Sequence, residues 1–262
     1  MGKNKKMVFV GIVLAILLLA GYGFFFKKQS SHLVAPITAT STPAISPLNV
    51  QGEGDFTVER VPLEEEIKAP DLSRPIVFSD GVPAEFRRIM TERIEKDSIE
   101  LRKKPDNFDA WLDLAIQRKT IDDYKGAAEI WKYVLEFQPN NSVVLGNLGE
   151  LHHLYLKDYP KSESYYKAAI SLDPSRVTLY RALHELYKYS YKQNTSAAAD
   201  ILKEGLVKNP DNTDLLILLG AYYRDNGDKQ SARVYFEQAL SIAKKNQNQV
   251  LVDALERDIS KL

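Results

Sequence analysis

Residues 213–240 read TDLLILLGAYYRDNGDKQSARVYFEQAL. Leu216, Leu219, Gly220 and Tyr223 recur at helical spacing, Asn226-Gly227-Asp228 is a turn signal, and Ala232, Phe236 and Ala239 resume the same period. Apolar residues three and four apart share one helix face, so the stretch predicts two amphipathic helices joined by a tight turn. One such hairpin cannot bury its apolar face alone and needs neighbours on both sides. Moving outward, Pro210, Pro174, Pro139 and Pro105 stand 36, 35 and 34 residues apart. Each pushes the residue before it away from helical angles and so ends one helix per period.

The earlier periods fill the same slots. The first has Trp111, Leu114 and Ala115, then Ala127, Trp131 and Pro139; the second has Leu145, Leu148 and Gly149, then Tyr166, Ala169 and Pro174. The third has Tyr180, Leu183 and Tyr187, then Ala198, Leu202 and Pro210. This pattern resembles the tetratricopeptide repeat, W-x2-L-G-x2-Y, then A-x3-F, then P, with a period of about 34 residues. The resemblance implies an all-α solenoid of helical hairpins, with four repeats over residues 105–245. Small residues such as Ala115, Gly149 and Gly220 would let paired helices approach, while Trp111, Tyr166, Tyr187 and Phe236 would fill the space between units. Arg118 and His152 stand where tyrosine is usual, His184 where a small residue is, and Ser162 where alanine is. The extra residues of the longer periods are expected in turns at 157–159 and 192–195, where insertions cost little. Phe86, Met90 and Ile94 predict a capping helix over 83–104, and Val252, Leu255, Ile259 and Leu262 predict another over 246–262.

Upstream, residues 7–26, MVFVGIVLAILLLAGYGFFF, form an uncharged run of twenty, about 30 Å long as a helix. This predicts one transmembrane anchor within residues 1–28, contacting the lipid bilayer through 7–26. The run is long for a signal peptide, and Phe24, Phe25, Phe26 and Lys27 make a poor cleavage site, so the anchor is expected to stay uncut. Lys3, Lys5, Lys6 and the amino terminus precede the run and only Lys27 and Lys28 follow it. That bias puts the N-terminus in the cytoplasm and the repeats outside, as a single-pass protein of a bacterial cytoplasmic membrane. Residues 29–82 read first as a Ser/Thr/Pro-rich flexible linker, then as a proline-punctuated stretch without regular structure, partly extended along the folded body.

Composition narrows function. The first 52 residues hold five lysines and no acid, which leaves 30 basic against 35 acidic residues in the remainder. A mildly acidic body does not neutralise a phosphate backbone, so no nucleic-acid partner is expected. The chain has no cysteine, hence no disulfide, thiolate metal site or cysteine nucleophile. His152 and His153 are adjacent and point to different sides of a helix, His184-Glu185 lacks the second histidine of a zinc motif, and Gly52-Glu53-Gly54 lacks the third glycine of a dinucleotide loop. No catalytic, cofactor or metal site and no small-molecule substrate are therefore expected. The sequons at Asn140 and Asn194 are short enough to arise by chance.

The expectation is a non-enzymatic scaffold for protein or peptide partners; the alternative is a fixed subunit of an envelope assembly of the secretion, pilus or cytochrome-maturation type. The resemblance places a concave groove on the first helix of each unit. Carried over, its lining is Leu112, Ile116 and Lys119, then Asn147, Glu150 and His153, then Arg181, Glu185 and Lys188, then Ile217, Ala221 and Arg224. Leu112 stands in place of a lysine that the chaperone-binding members use to clamp a carboxylate, so that activity is not expected.

Overall fold

The structure, a computed structural model, describes residues 68–262. The expected anchor and most of the linker lie outside these residues. Among the described residues no helix is long and apolar enough to cross a membrane. They form ten α-helices and no strand: α1 (Ala84–Lys103), α2 (Phe108–Thr120), α3 (Tyr124–Phe137), α4 (Ser142–Leu154), α5 (Tyr159–Leu172), α6 (Val177–Glu185), α7 (Ala197–Lys208), α8 (Thr213–Asp225), α9 (Lys229–Lys245) and α10 (Gln249–Ser260). A π-helical turn, Leu186–Ser190, extends α6.

Helices α2 to α9 pair as four hairpins, each packed chiefly on its neighbours in sequence. The core is correspondingly linear. A cluster around Trp111 and Trp131 meets one around Tyr180 and Leu183 through Leu135 and Tyr165, and the second meets a third around Phe236 through Leu206, Tyr223 and Tyr235. Pro105, Pro139, Pro174 and Pro210 each fall two residues beyond a helix end. The carbonyls of Pro105 and Pro174 accept bonds from Trp111 Nε1 at 2.9 Å and Tyr180 Oη at 3.1 Å. A proline thus ends one helix and fastens the large aromatic of the next.

Two glycines set the closest approaches within hairpins. A Cβ on Gly149 would lie 2.6 Å from the Tyr166 ring, and one on Gly220 would lie 2.6 Å from Phe236. In the third unit the sizes are reversed: His184 occupies the small slot, and its Nδ1 lies 2.7 Å from the Ala198 carbonyl. Ser162, in an alanine slot, satisfies its buried hydroxyl on the Gly149 carbonyl at 2.7 Å.

Turns repeat one device. Asp122, Gly227 and Gln247 have φ of 66°, 82° and 57°, and each precedes an Asp or Asn that caps the following helix. The amides of Asp123 and Asp228 return to the carbonyls of Arg118 and Tyr223, the bonding of a left-handed helix end. Seven of the ten helices start on an Asn or Asp whose side chain accepts an amide of the first turn. Both helices of the third unit lack this cap, starting after Arg176 and Ser196. That unit also carries the π turn and left-handed residues at Lys192 and Asn194, so its extra length is spread between helix and loop.

Residues 70–79, expected as the end of the linker and partly extended along the body, are seated on the first unit: a turn at Leu72 and Ser73, closed by the Arg74 amide on the Asp71 carbonyl at 3.2 Å, leads into a stretch without regular secondary structure. Pro70, Leu72, Arg74, Ile76 and Phe78 are half-buried while Asp71, Ser73, Pro75, Val77 and Ser79 are exposed. From Arg74 to Ser79 this is the two-residue alternation of an extended chain with one face inward.

Candidate functional site

The first helices α2, α4 and α8, with α6 and its π turn, carry all twelve expected groove residues. The structure separates them into three groups. Lys119, Glu150, His153, Arg181 and Lys188 join one first helix to the next. Lys119 Nζ meets Glu150 at 2.6 Å, Lys188 Nζ meets Asp225 at 2.9 Å, and Arg181 lies 3.9 Å from Asp214. His153 is buried, its Nε2 3.0 Å from Ser190 Oγ at the end of the π turn. This corrects its place on the surface: the ring is consumed in the contact between units two and three.

The second group is apolar and only partly open. Leu112 packs beside the Trp111 cluster, and Ile217 and Ala221 beside the Phe236 cluster. These three help to hold the array together, so a charge at Ile217 would disturb the fold as well as a surface. In the third group Ile116, Glu185 and Arg224 are exposed and Asn147 is half-buried. Arg224 is held by its neighbour Asp225 at 3.0 Å. Asn147 is one residue out of register. Leu112, Arg181 and Ile217 each follow the first core residue of their unit (Trp111, Tyr180, Leu216), and in the second unit that residue is Leu145, followed by Gly146.

Exposed apolar residues missed in the sequence continue this face toward the hairpin turns. Ile116 is 37% exposed, Leu154 44%, Tyr155 39% and Tyr189 63%. Leu154 lies four and seven residues beyond Glu150 and Asn147, hence on the same helix face. Tyr155 stacks on Tyr124 with ring centroids 4.3 Å apart, and Lys119 Nζ lies 5.5 Å from its centroid. Lys188 sits 5.3 Å from the Tyr189 ring centroid. The signal was available as the Leu154-Tyr155 and Tyr189 positions at the ends of first helices, but their exposure depends on how the turns fold back.

The face is thus a charge-compensated wall flanked by aliphatic and aromatic side chains. Lys119 and Lys188 are spent on acids of the next unit, Glu185 stays open, and the exposed aliphatic and aromatic groups beside them suit a partner segment presenting apolar side chains. Among the described residues no group of three or more His, Asp or Glu is placed to hold a metal ion. Glu163 is the strongest buried anion, ringed by Lys167, Lys192 and Tyr187 at 2.6–2.7 Å and held down at about 2 against a desolvation that acts the other way. Its partners tie α5 to the irregular third unit.

The tetratricopeptide repeat family matches residues 143–176 and 213–246. These spans cover the second and fourth hairpins. Among solved structures, a crystal structure of MamA is 17% identical with a TM-score of 0.49, covering 66% of this chain and 99% of that one. MamA 41-end from Desulfovibrio magneticus RS-1 is 16% identical with a TM-score of 0.46, covering 62% and 94%. Pseudomonas aeruginosa PilF is 18% identical with a TM-score of 0.46, covering 67% and 86%. No curated protein matches the sequence significantly. The second and fourth hairpins are thus tetratricopeptide repeats by sequence, and the other two share their helix-turn-helix build.

Proposed function

We infer that the solenoid is a protein-interaction scaffold, held at a membrane by residues 7–26 and lying outside the cytoplasm, which takes an extended or helical partner segment along its first-helix face. The observation that carries the binding reading is the row of exposed apolar residues beside paired charges, Ile116, Leu154, Tyr155 and Tyr189 with Lys119–Glu150 and Lys188–Asp225. Contiguous apolar exposure rimmed by polar groups marks partner surfaces. Arg181 is itself exposed, but a partner carboxylate there would compete with Asp214.

Changing Ile116, Leu154 and Tyr189 together to aspartate tests this. Each is more than a third exposed, so fold stability should change by about 0.5 kcal/mol per site, while a bound apolar segment would meet unpaired charge at a cost of several kcal/mol. The expected result is loss of partners in pull-downs of the full chain from mild detergent, at an unchanged melting temperature. Undiminished partner recovery would place binding elsewhere. One stoichiometric partner would favour a fixed assembly subunit over a scaffold with several clients.

The topology rests on the uncharged run and the lysine bias. Protease added to spheroplasts is expected to digest the solenoid and spare an N-terminal tag. A protected solenoid would reverse the orientation, and recovery of the intact chain in the soluble fraction would remove the anchor.

A further inference from the structure

A second built site lies round α2 from the first-helix face. At 100° per residue, Arg118 is turned well away from Leu112, Ile116 and Lys119. Its side chain is only 2% exposed, and its guanidinium forks onto two consecutive carbonyls, Arg74 O at 2.7 Å and Pro75 O at 2.8 Å. Arg74 in turn gives Nε and Nη2 to the two carboxylate oxygens of Asp123 at 2.7 and 2.9 Å, and Nη1 to Glu129 at 3.0 Å. Arg102, on the last turn of α1, donates to the Leu72 carbonyl at 3.0 Å, and Ser79 donates to Asp122 at 3.2 Å. Between these bonds Leu72, Ile76 and Phe78 pack on the Trp111 cluster.

We propose that this seat, formed by α1, the end of α2 and the start of α3, is a peptide-binding site for a Leu-x-Arg-x-Ile-x-Phe segment that leaves a turn and runs on along α1, filled by residues 72–78 of the same chain, and that this latch fixes where the chain reaches the solenoid at Pro70. The arrangement specifies register as well as affinity. From Arg74 onward the chain alternates its faces, so a slip of one residue would turn Ile76 and Phe78 outward and bring Pro75 over Asp123 and Glu129. A purely apolar contact would tolerate such a slip, whereas a fork on two named carbonyls and a two-oxygen arginine–carboxylate pair do not. The position has a consequence for geometry. The latch runs antiparallel to α1, from Arg102 near its C-terminal end to Asp122 near the turn that leads into Ala84. Twenty helical residues span about 30 Å, so the chain before Pro70 starts from the far end of α1 and not from its first residue. The inference is independent of the first-helix face, because the two surfaces share no side chain.

The chain has no cysteine, so two introduced thiols are unique labels. Spin labels at Ser73→Cys and Lys103→Cys, both outward-facing, report the latch in the full-length protein by electron–electron distance. The expected wild-type result is one narrow, short distance that persists when labelled protein is mixed with excess unlabelled protein. Arg74→Glu sets a carboxylate against Asp123 and Glu129 and should raise the released, broad population about ten-fold or more. Arg74→Gln keeps donors without charge and should raise it less, which also covers a poorly folded glutamate variant. Arg88→Glu, on an exposed pair of α1, should change nothing. A broad wild-type distribution, or a narrow one in both Arg74 variants, would overturn the proposal. So would a short distance that disappears on dilution with unlabelled protein, since the seat would then hold the segment of a second copy.

Discussion

Replacing Arg118 with leucine is expected to destabilise the protein by about 3–5 kcal/mol, as a buried charged group taken from its partners typically does. The arginine is larger than leucine, so a void is left between α2 and α3. The carbonyls of Arg74 and Pro75 lose their donor, and Asp123 keeps Arg74 but loses its second cation at 3.4 Å. Each buried acceptor left unpaired costs about 1–3 kcal/mol. Burial lowers the pKa of Arg118 from its ordinary value, with Arg74 adding to the same direction and Asp123 opposing it, so the charge is held at a cost that the three acceptors offset. Lysine should not restore stability, because one ammonium cannot fork onto adjacent carbonyls and a carboxylate. For a body of this size the change corresponds to a fall in melting temperature of about 6–20 °C. Calorimetry of wild type, Arg118→Leu and Arg118→Lys measures it, and a leucine variant within 2 °C of wild type by the same scale would show that the guanidinium bonds are dispensable.

How much of this was legible in the sequence follows from the range over which each feature is determined. The hairpin array was legible because its signals are local or occur once per period: a proline after each second helix, and a glycine opposite an aromatic, as in Gly149 with Tyr166 and Gly220 with Phe236. That residues up to 82 would lie partly along the folded body was expected, but the register and arginine contacts of the latch were not legible, although Pro70, Leu72, Arg74, Ile76 and Phe78 recur every second residue. Its prolines argue for a linker, and a single extended segment has no strand partner to make the alternation recognisable. Arg118 was visible only as a departure from a tyrosine slot; its reason lies more than forty residues upstream, in the carbonyls of Arg74 and Pro75.

The groove was legible as a face but not as a surface. Which of its charges pair depends on the angle between consecutive units, and no single repeat encodes that angle. Lys119 reaches Glu150 and Lys188 reaches Asp225 only because the first helices lie side by side at this pitch. The π turn brings Ser190 to His153, and it is what takes that histidine from the wall into the interior.

Acidification is the second perturbation with a large expected effect. His152, His153 and His184 are buried, and desolvation holds all three below the ordinary imidazole value. Lys132 and Lys161 add to this at His152 and Lys157 at His153, while Asp158, Glu150 and Glu185 act against it; at His184 the Ala198 carbonyl opposes and Lys188 assists. A folded-state pKa below the unfolded one means that the unfolded chain binds more protons, so stability rises with pH through the interval between the two. The contribution is complete above the unfolded value of 6.5 and is lost as pH falls below it. Each histidine can remove at most about 1.4 kcal/mol per pH unit, hence about 4 kcal/mol per unit for three. Lowered carboxylates such as Glu163 add their own acid loss only below the ordinary glutamate value of 4.5. Asp97 and Asp113, raised by burial, act in the opposite sense, starting from an ordinary value of 3.8. The histidines therefore act first as pH falls below neutrality, and the urea midpoint should fall between about pH 7 and pH 5.5. His152 separates titration from bonding, because among the described residues neither of its ring nitrogens has a hydrogen-bond partner, Asp158 standing 4.0 Å from Nδ1. His152→Leu should leave stability at pH 7.5 unchanged or higher and reduce the slope by about a third, since no acceptor is orphaned by the change. A midpoint that stays flat over this range in the wild type, or a slope unaltered in the variant, would mean that these rings are not held neutral by burial.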